Sequence, residues 1–509
     1  MRWMTLFALG LAASTATNCY ASTLIRSAMI VNGRDTETSS GDVRIDGDRI
    51  VAIGMLTPQE GDVVVDGRGL VLAPGFIDTH SHHDEKLDQH LDATQLLAQG
   101  VTTIVVGQDG GSTFPVAKLF AERQAHPATV NIASYSGHGT LRGEVLGSDY
   151  KREATPAEIS RMRALLDADM RAGALGLSTG LEYDPAIYSS HAEVVALASE
   201  AAKFGGRYIS HMRSEDRELW AALDELIEIG RRTHMPVQVS HAKLGMTDWW
   251  GQASRYLAKL DAARAKGIDA SLDVYPYPYW QTTLTVLWPK RDFDNRATAE
   301  FILKHLAPPE GLLISADAGD QAHVGKTLAQ IAIERRSDPV TTVISLINAA
   351  RAKDGDISVI GTSMDERDIT KLIQWPNANI SSDGAFEDLH PRGAGPFAKI
   401  LRLYVREKRL LTLGEAIKKM SYMAASHMGI ADRGEIRVGA LADLILFDPA
   451  TIRDNATTEH PTAIATGMRR VWVNGVLCFV DGKETGERPG RVIRRGKTTA
   501  WTAQAGASE

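Results

Sequence analysis

The chain has 509 residues, 44% of them hydrophobic, with 56 Lys+Arg against 63 Asp+Glu and a formal net charge of −7. That apolar share builds a large core, which excludes a disordered chain, and the length points to more than one domain. The acidic balance and the lack of a basic stripe exclude nucleic acid as the main partner, and Cys19 and Cys478 are too few for a disulfide framework.

Residues 1–21 carry one cation at Arg2, an apolar run from Leu6 to Ala13 and a small-residue tail. This is the three-part form of a secretory signal, with cleavage expected after Ala21 and a lipid anchor at Cys19 as the alternative. No later stretch is long and apolar enough to span a bilayer. The mature chain is therefore expected to be exported, periplasmic or secreted, with no membrane contact. Residues 22–73 then read as short strands, Thr23 to Val31, Gly41 to Ile45, Arg49 to Gly54 and Val63 to Asp66, punctuated by the turn dipeptides Asn32-Gly33, Asp46-Gly47 and Asp66-Gly67. The same texture returns at Ala442 to Phe447 and Val471 to Gly475, so 22–73 and 434–509 are expected to build one small β-sandwich from both termini. Two unrelated hairpins are the alternative.

Between them, residues 74–433 alternate strand and helix. After a first strand at Phe76 come Val101 to Asp109, Val130 to Tyr135, Ala174 to Gly180, Arg207 to Arg213, Val237 to Lys243, Asp269 to Tyr277 and Ala378 to Gly384. Eight such strands are what an α/β fold of the (β/α)8 TIM-like barrel type requires. Thr155, Pro156 and Glu158 mark a helix start between the third and fourth. The gap between strands seven and eight is too long for one helix, so residues 286–365 read as a lobe inserted over the barrel mouth. Gly325-Lys326-Thr327 inside it is not a phosphate loop, because Asp320 stands where that motif needs its first glycine.

The densest chemistry is Phe76-Ile77-Asp78-Thr79-His80-Ser81-His82-His83-Asp84. On an extended strand His80 and His82 share one face, and neutral imidazoles so placed are good ligands for a divalent cation. His211, His241 and Asp383 each close a later strand, and a barrel collects its active site from such strand ends. This pattern reads as a metal-dependent hydrolase. A metal lowers the pKa of bound water from about 15.7 toward about 7, and a nearby carboxylate, Asp383, can carry the proton; a turn aspartate before Gly384 is the plainer reading. His83 points away from the His80/His82 face and reads as a support. His138, in Ser136-Gly137-His138, reads either as a substrate contact or as a satisfied buried histidine. The aromatic run Tyr275 to Trp280 either walls a pocket or packs under the lobe.

Taken together, Pro74 to His82, Ser178-Thr179-Gly180-Leu181-Glu182-Tyr183, His211-Met212-Arg213, Ser240-His241-Ala242-Lys243, Asp273-Val274-Tyr275-Pro276-Tyr277 and Ser382-Asp383-Gly384 resemble the N-acyl-D-amino-acid deacylase (D-aminoacylase) family of the amidohydrolase superfamily, from Leu24 to Val480. The resemblance implies hydrolysis of the amide of a small N-acyl-D-amino acid at a zinc site of one or two ions. It implies His211 and His241 as tight ligands, His80 and His82 at a weaker position, Asp383 as the catalytic aspartate, and Tyr183, Lys243 and Tyr275 near the substrate. Arg392, after Asp383 on the same loop, is expected to clasp the substrate carboxylate through two parallel hydrogen bonds. One position departs from the family: where a cysteine is usual, this chain reads Gly107-Gln108-Asp109-Gly110. The fourth strand also lacks the lysine that bridges two metals in other amidohydrolases. Asp109 is therefore the expected bridging ligand, and a carboxylate in that place tolerates Co2+ or Mn2+ as well as Zn2+. A close amidase acting on D-configured or dipeptide-like amides belongs to the same reading; opening of a cyclic amide or imide, and a non-catalytic exported metal-binding protein, are the competing ones.

Overall fold

The computed structural model describes residues 22–496; the expected leader, with Cys19, and residues 497–509 lie outside them. Eight parallel strands form the barrel: Phe76–Asp78, Val101–Val106, Asn131–Ser134, Gly176–Gly180, Arg207–His211, Val237–Val239, Ala270–Val274 and Ala378–Ile380. The third continues as Ser136–Gly137, which pairs with the fourth. The ring closes between the eighth and first at the rim, where Asp383 N donates to His80 O at 2.8 Å and His82 N to Gly384 O at 2.9 Å. Ile77, Val105, Ala133, Leu175 and Ile209 form an interior core with Ala424, Ala425 and Met428 of the helix Tyr422–Met428, which plugs the lower end. The helix Pro156–Ala172 starts on a capping box between Thr155 and Glu158 and stops at Gly173.

The strands are shorter than the sequence suggests. Asp109, His241 and Asp383 lie beyond their strand ends, at φ of 52°, 33° and 50°, and His80 and His82 follow a strand that stops at Asp78. Left-handed backbone at a non-glycine residue costs on the order of 1 kcal/mol, and it is held only where surrounding structure dictates it. Here it turns three ligand-type side chains inward where an extended strand would send alternate ones outward.

Nine strands from both ends of the chain make a single sheet. Val71–Pro74 runs parallel to Thr23–Val31 on one side and antiparallel to Leu444–Phe447 on the other. The two termini therefore share one sheet rather than forming separate hairpins. Thr23–Val31 bends at a bulge between Ile25 and Ala28, so its first half pairs with Val63–Asp66 and its second with Val71–Leu72. The far edge folds back, with Ile50 N donating to Ala440 O at 3.0 Å, around Ile25, Val43, Ile45, Ile50, Leu444 and Trp472.

Between strands seven and eight, Tyr279–Thr283, Leu312–Asp317 and Ile357–Thr362 form an antiparallel sheet with Ile357–Thr362 in the middle. This region starts at Tyr279, ahead of the expected residue 286, because its first strand, Tyr279–Thr283, takes in the last two residues of the aromatic run. Thr327 caps the helix Leu328–Arg335 with Gln330, and Lys326 pairs with Glu334 at 2.8 Å.

Candidate active site

A cavity of about 820 Å³ opens over the C-terminal rim, between the barrel loops and the lobe. At its base the rim loops bring together the side chains of His80, His82, Asp109, His211, His241 and Asp383. Asp109 Oδ2 lies 3.4 Å from Nε2 of both His80 and His82, while its Oδ1 lies 3.3 Å from His241 Nε2. The two oxygens of one carboxylate thus face two different imidazole groups. Asp383 Oδ1 sits 3.4 Å from His80 Nε2 and 3.3 Å from His82 Nε2. His211 Nδ1 is 3.2 Å from His241 Nε2.

The electrostatics call for positive charge here. Burial disfavours charge on His82, yet Asp109 and Asp383 outweigh it and push the imidazole up to about 10. Burial and Lys243 work against His241, but Asp109 and Glu215 still raise it to about 9. Burial would raise Asp109 and Asp383 too, but His80 and His241 for the first, and Arg392 and His241 for the second, hold both well below the usual carboxylate range. His80 Nδ1 and Nε2 and Asp109 Oδ1 are buried without hydrogen-bond partners, a cost of about 1–3 kcal/mol each if left so. A divalent cation would satisfy His80 Nε2 and Asp109 Oδ1, while His80 Nδ1 faces Asp273 Oδ1 at 3.8 Å; a nitrogen and oxygen donor set suits zinc or a slightly harder ion. One atom from each of His80, Asp109, His241 and Asp383 lies within 4.8 Å of the others, and so do atoms of His211, Glu215 and His241.

Three carboxylates behind these side chains were not singled out from the sequence. Glu182 Oε2 is 2.9 Å from His211 Nε2, which turns Nδ1 inward. Glu215 accepts from Lys243 Nζ at 2.6 Å and lies 3.1 Å from His241 Nδ1. Asp273 accepts from the His241 backbone at 2.9 Å, from Ser381 at 2.7 Å and from Gln238 at 2.8 Å. Such partners fix a ligand ring's orientation and the nitrogen it presents. Glu182 stands beside Tyr183, and Glu215 four residues after His211, so proximity to named motifs was the available signal.

Tyr183, Lys243, Tyr275 and Arg392 all line the cavity. Tyr183 OH is 3.2 Å from His211 Nδ1, and the Tyr275 hydroxyl is buried without a partner. Burial raises both phenols, so they remain donors. Arg392 does not stand free as a two-armed clasp: its Nη1 donates to Asp383 Oδ2 and it lies 5.2 Å over the Tyr275 ring, with Nε left unpartnered. Of the two readings of His138, the structure shows the buried one and not the substrate contact. Its ring is fully buried, with Nε2 2.8 Å from Glu193 Oε1 on a neighbouring helix, and it does not line the cavity. His83 bonds Ser81 Oγ at 2.8 Å and Gly393 O at 3.1 Å, and burial holds it down at about 3, so a neutral ring ties the first and eighth rim loops together. Of the aromatic run, Tyr275 and Trp280 wall the cavity, while Tyr277 and Tyr279 pack on His390.

A model of the amidohydrolase family matches residues 63–345 and 383–479. D-aminoacylase of Alcaligenes xylosoxydans xylosoxydans is 36% identical over 497 residues, covering 93% of this chain and 97% of its own. A solved D-aminoacylase described for its binuclear metal center, with one-metal activation and second-metal attenuation, superposes with a TM-score of 0.83 at 33% identity, over 93% of this chain and 99% of the other. So does N-acyl-D-glutamate deacylase from Bordetella bronchiseptica complexed with zinc and a phosphonate mimic of the tetrahedral intermediate, with TM-score 0.83, 33% identity and the same coverage.

Proposed function

The chain belongs to the amidohydrolase family, and within it we propose a zinc-dependent deacylase that cleaves the amide of N-acyl-D-amino acids to a carboxylate and a free amino acid. The observation that carries this is Asp383: one oxygen faces His80 and His82, the other takes the Arg392 guanidinium, and His82, Asp383 and Arg392 line one cavity with Tyr275 and Lys243. His80, His82, Asp109, His211 and His241 would hold the metal, with Asp109 bridging two positions. The bound ion supplies an activated water and a polarised carbonyl. Arg392 keeps Asp383 ionised, so its carboxylate is ready to take a proton from the attacking water and hand it to the leaving nitrogen. Lys243, Tyr275 and the free edge of Arg392 are the donors for the substrate carboxylate. A hydantoin-like ring offers no such carboxylate, and a passive metal carrier has no use for the Asp383–Arg392 pair.

Release of free amine from a panel of N-acetyl-D- and N-acetyl-L-amino acids by the metal-reconstituted protein tests the reading. Turnover confined to D members is expected, and no release from any of them overturns it. Export is a further part of the proposal, supported by the pattern of residues 1–21. A mature chain starting at Ser22 in the periplasmic or secreted fraction is the expected result.

A further inference from the structure

A second cavity of about 570 Å³ adjoins the first, and Tyr183, Thr283 and Val286 line both. It runs between the barrel loop around Tyr150 and the inserted lobe. Its wall is already built: Arg291 of the lobe reaches Asp184 at 2.9 Å and the Glu182 carbonyl at 2.7 Å, and Tyr150 OH donates to Asp184 at 3.0 Å. Arg351 lies 4.4 Å over the Phe293 ring at the outer side, and Lys151 stands exposed beside Tyr150.

The carboxylate donors lie at the closed end of the first cavity, with Arg392 7%, Lys243 5% and Tyr275 1% exposed. An acyl group that leaves this anchor past Tyr183, Thr283 and Val286, which line both cavities, enters the second one. An N-acetyl amino acid has about a dozen non-hydrogen atoms, whereas cavities of roughly 300–1,000 Å³ accommodate drug-sized ligands. The first cavity alone exceeds what an acetylated residue needs. Walls carrying Lys151, Arg291, Arg351, Asp184, Asp354 and Asp356 beside aromatic rings are a poor match for a hydrocarbon tail. They suit backbone amides and polar side chains.

Resting on the deacylase reading, we propose that the second cavity is an acyl subsite and that the preferred substrates are peptidyl-D-amino acids, cleaved to remove the C-terminal D-residue. The step is ordinary amide hydrolysis: the bond between the penultimate carbonyl carbon and the D-residue nitrogen breaks, water adding hydroxyl to the carbon and a proton to the nitrogen.

Steady-state kinetics on acetyl-, acetylglycyl-, acetyldiglycyl- and octanoyl- derivatives of one D-amino acid provide the test. The expected result is a kcat/KM at least about tenfold higher for the diglycyl than for the acetyl compound. That gain should vanish in a Lys151→Ala/Arg351→Ala double variant, which leaves the acetyl substrate unchanged because both residues lie outside the catalytic cavity. A flat series overturns the acyl subsite, and an octanoyl gain equal to the peptidyl one overturns the preference for peptidyl groups; either leaves the deacylase intact. No hydrolysis of any derivative overturns the deacylase reading itself.

Discussion

The two ends of the barrel solve opposite problems with the same chemical groups. At the lower end cations finish on backbone carbonyls: Arg264 on Ala270 at 2.7 Å, Arg207 on Ser426 at 3.1 Å, Lys419 on Trp375, and Arg495 on Met170, Ala174 and Phe204 at 2.8, 3.2 and 2.6 Å. At the upper rim carboxylates gather around imidazoles, and buried atoms of His80, Asp109 and Glu215 are left without hydrogen-bond partners. At the lower end Arg207 Nη1 and His427 Nδ1 also lack partners, but both are nitrogens, whereas the rim sets unpartnered nitrogens of His80 beside unpartnered carboxylate oxygens of Asp109 and Glu215, a set that a cation would satisfy. Stability and reactivity are thus separated along one axis, as the barrel architecture favours.

That separation is open to breakage from the rim first. His211→Ala or His241→Ala is expected to reduce hydrolysis to background and to lower bound metal in parallel, read by activity and metal analysis on the same sample. Asp383→Asn should cost about 10²–10⁴ in kcat with most of the metal retained, since a proton carrier rather than the main ligand is lost. Loss of rate only in proportion to loss of metal would make Asp383 a ligand and nothing more. Asp109→Cys should turn a centre that binds cobalt or manganese readily into one that holds a single zinc tightly; unchanged metal content and preference would remove Asp109 from the bridge. Glu182→Gln is expected to weaken activity or metal affinity by about 10- to 100-fold, through His211 rather than through the substrate.

The lower end should respond in the opposite sense. Arg495→Ala is predicted to reduce unfolding free energy by about 2 kcal/mol while kcat, measured well below the melting point, stays as it was. Lys419 gives a pH signature. Burial lowers its ammonium from 10.5 to about 8 in the folded protein. Between those pH values the unfolded chain carries the extra proton, so this residue makes stability rise as pH increases from about 8 to about 10.5. Lys419→Met should flatten that part of a pH-dependent denaturant series; an unaltered slope would show that the lysine is solvated after all.

Much of the rim was legible because strand periodicity and the His80-Ser81-His82 spacing depend on local chain geometry alone. The left-handed turns at Asp109, His241 and Asp383 were not, since nothing in their neighbours other than a following glycine at two of them marks a departure from extended backbone. Glu182, Glu215 and Asp273 acquire their roles from contacts across different rim loops, which a linear pattern does not encode. His138 stayed open between two readings for the same reason: its partner Glu193 lies 55 positions away on another helix. Arg392 was placed at the site but not on Asp383, because a loop of nine residues can fold back on itself in many ways.

The shared terminal sheet also constrains the order of events at the ribosome. Val71–Pro74 waits for Leu444–Phe447, roughly 370 residues later, and at 5–20 residues per second that wait is about 20–75 s. Throughout it the strand offers an unpaired edge of backbone donors and acceptors, the kind of surface that recruits other chains. Until the far end of the chain arrives that edge is open to other chains, so the yield of folded protein is expected to rise with chaperone supply.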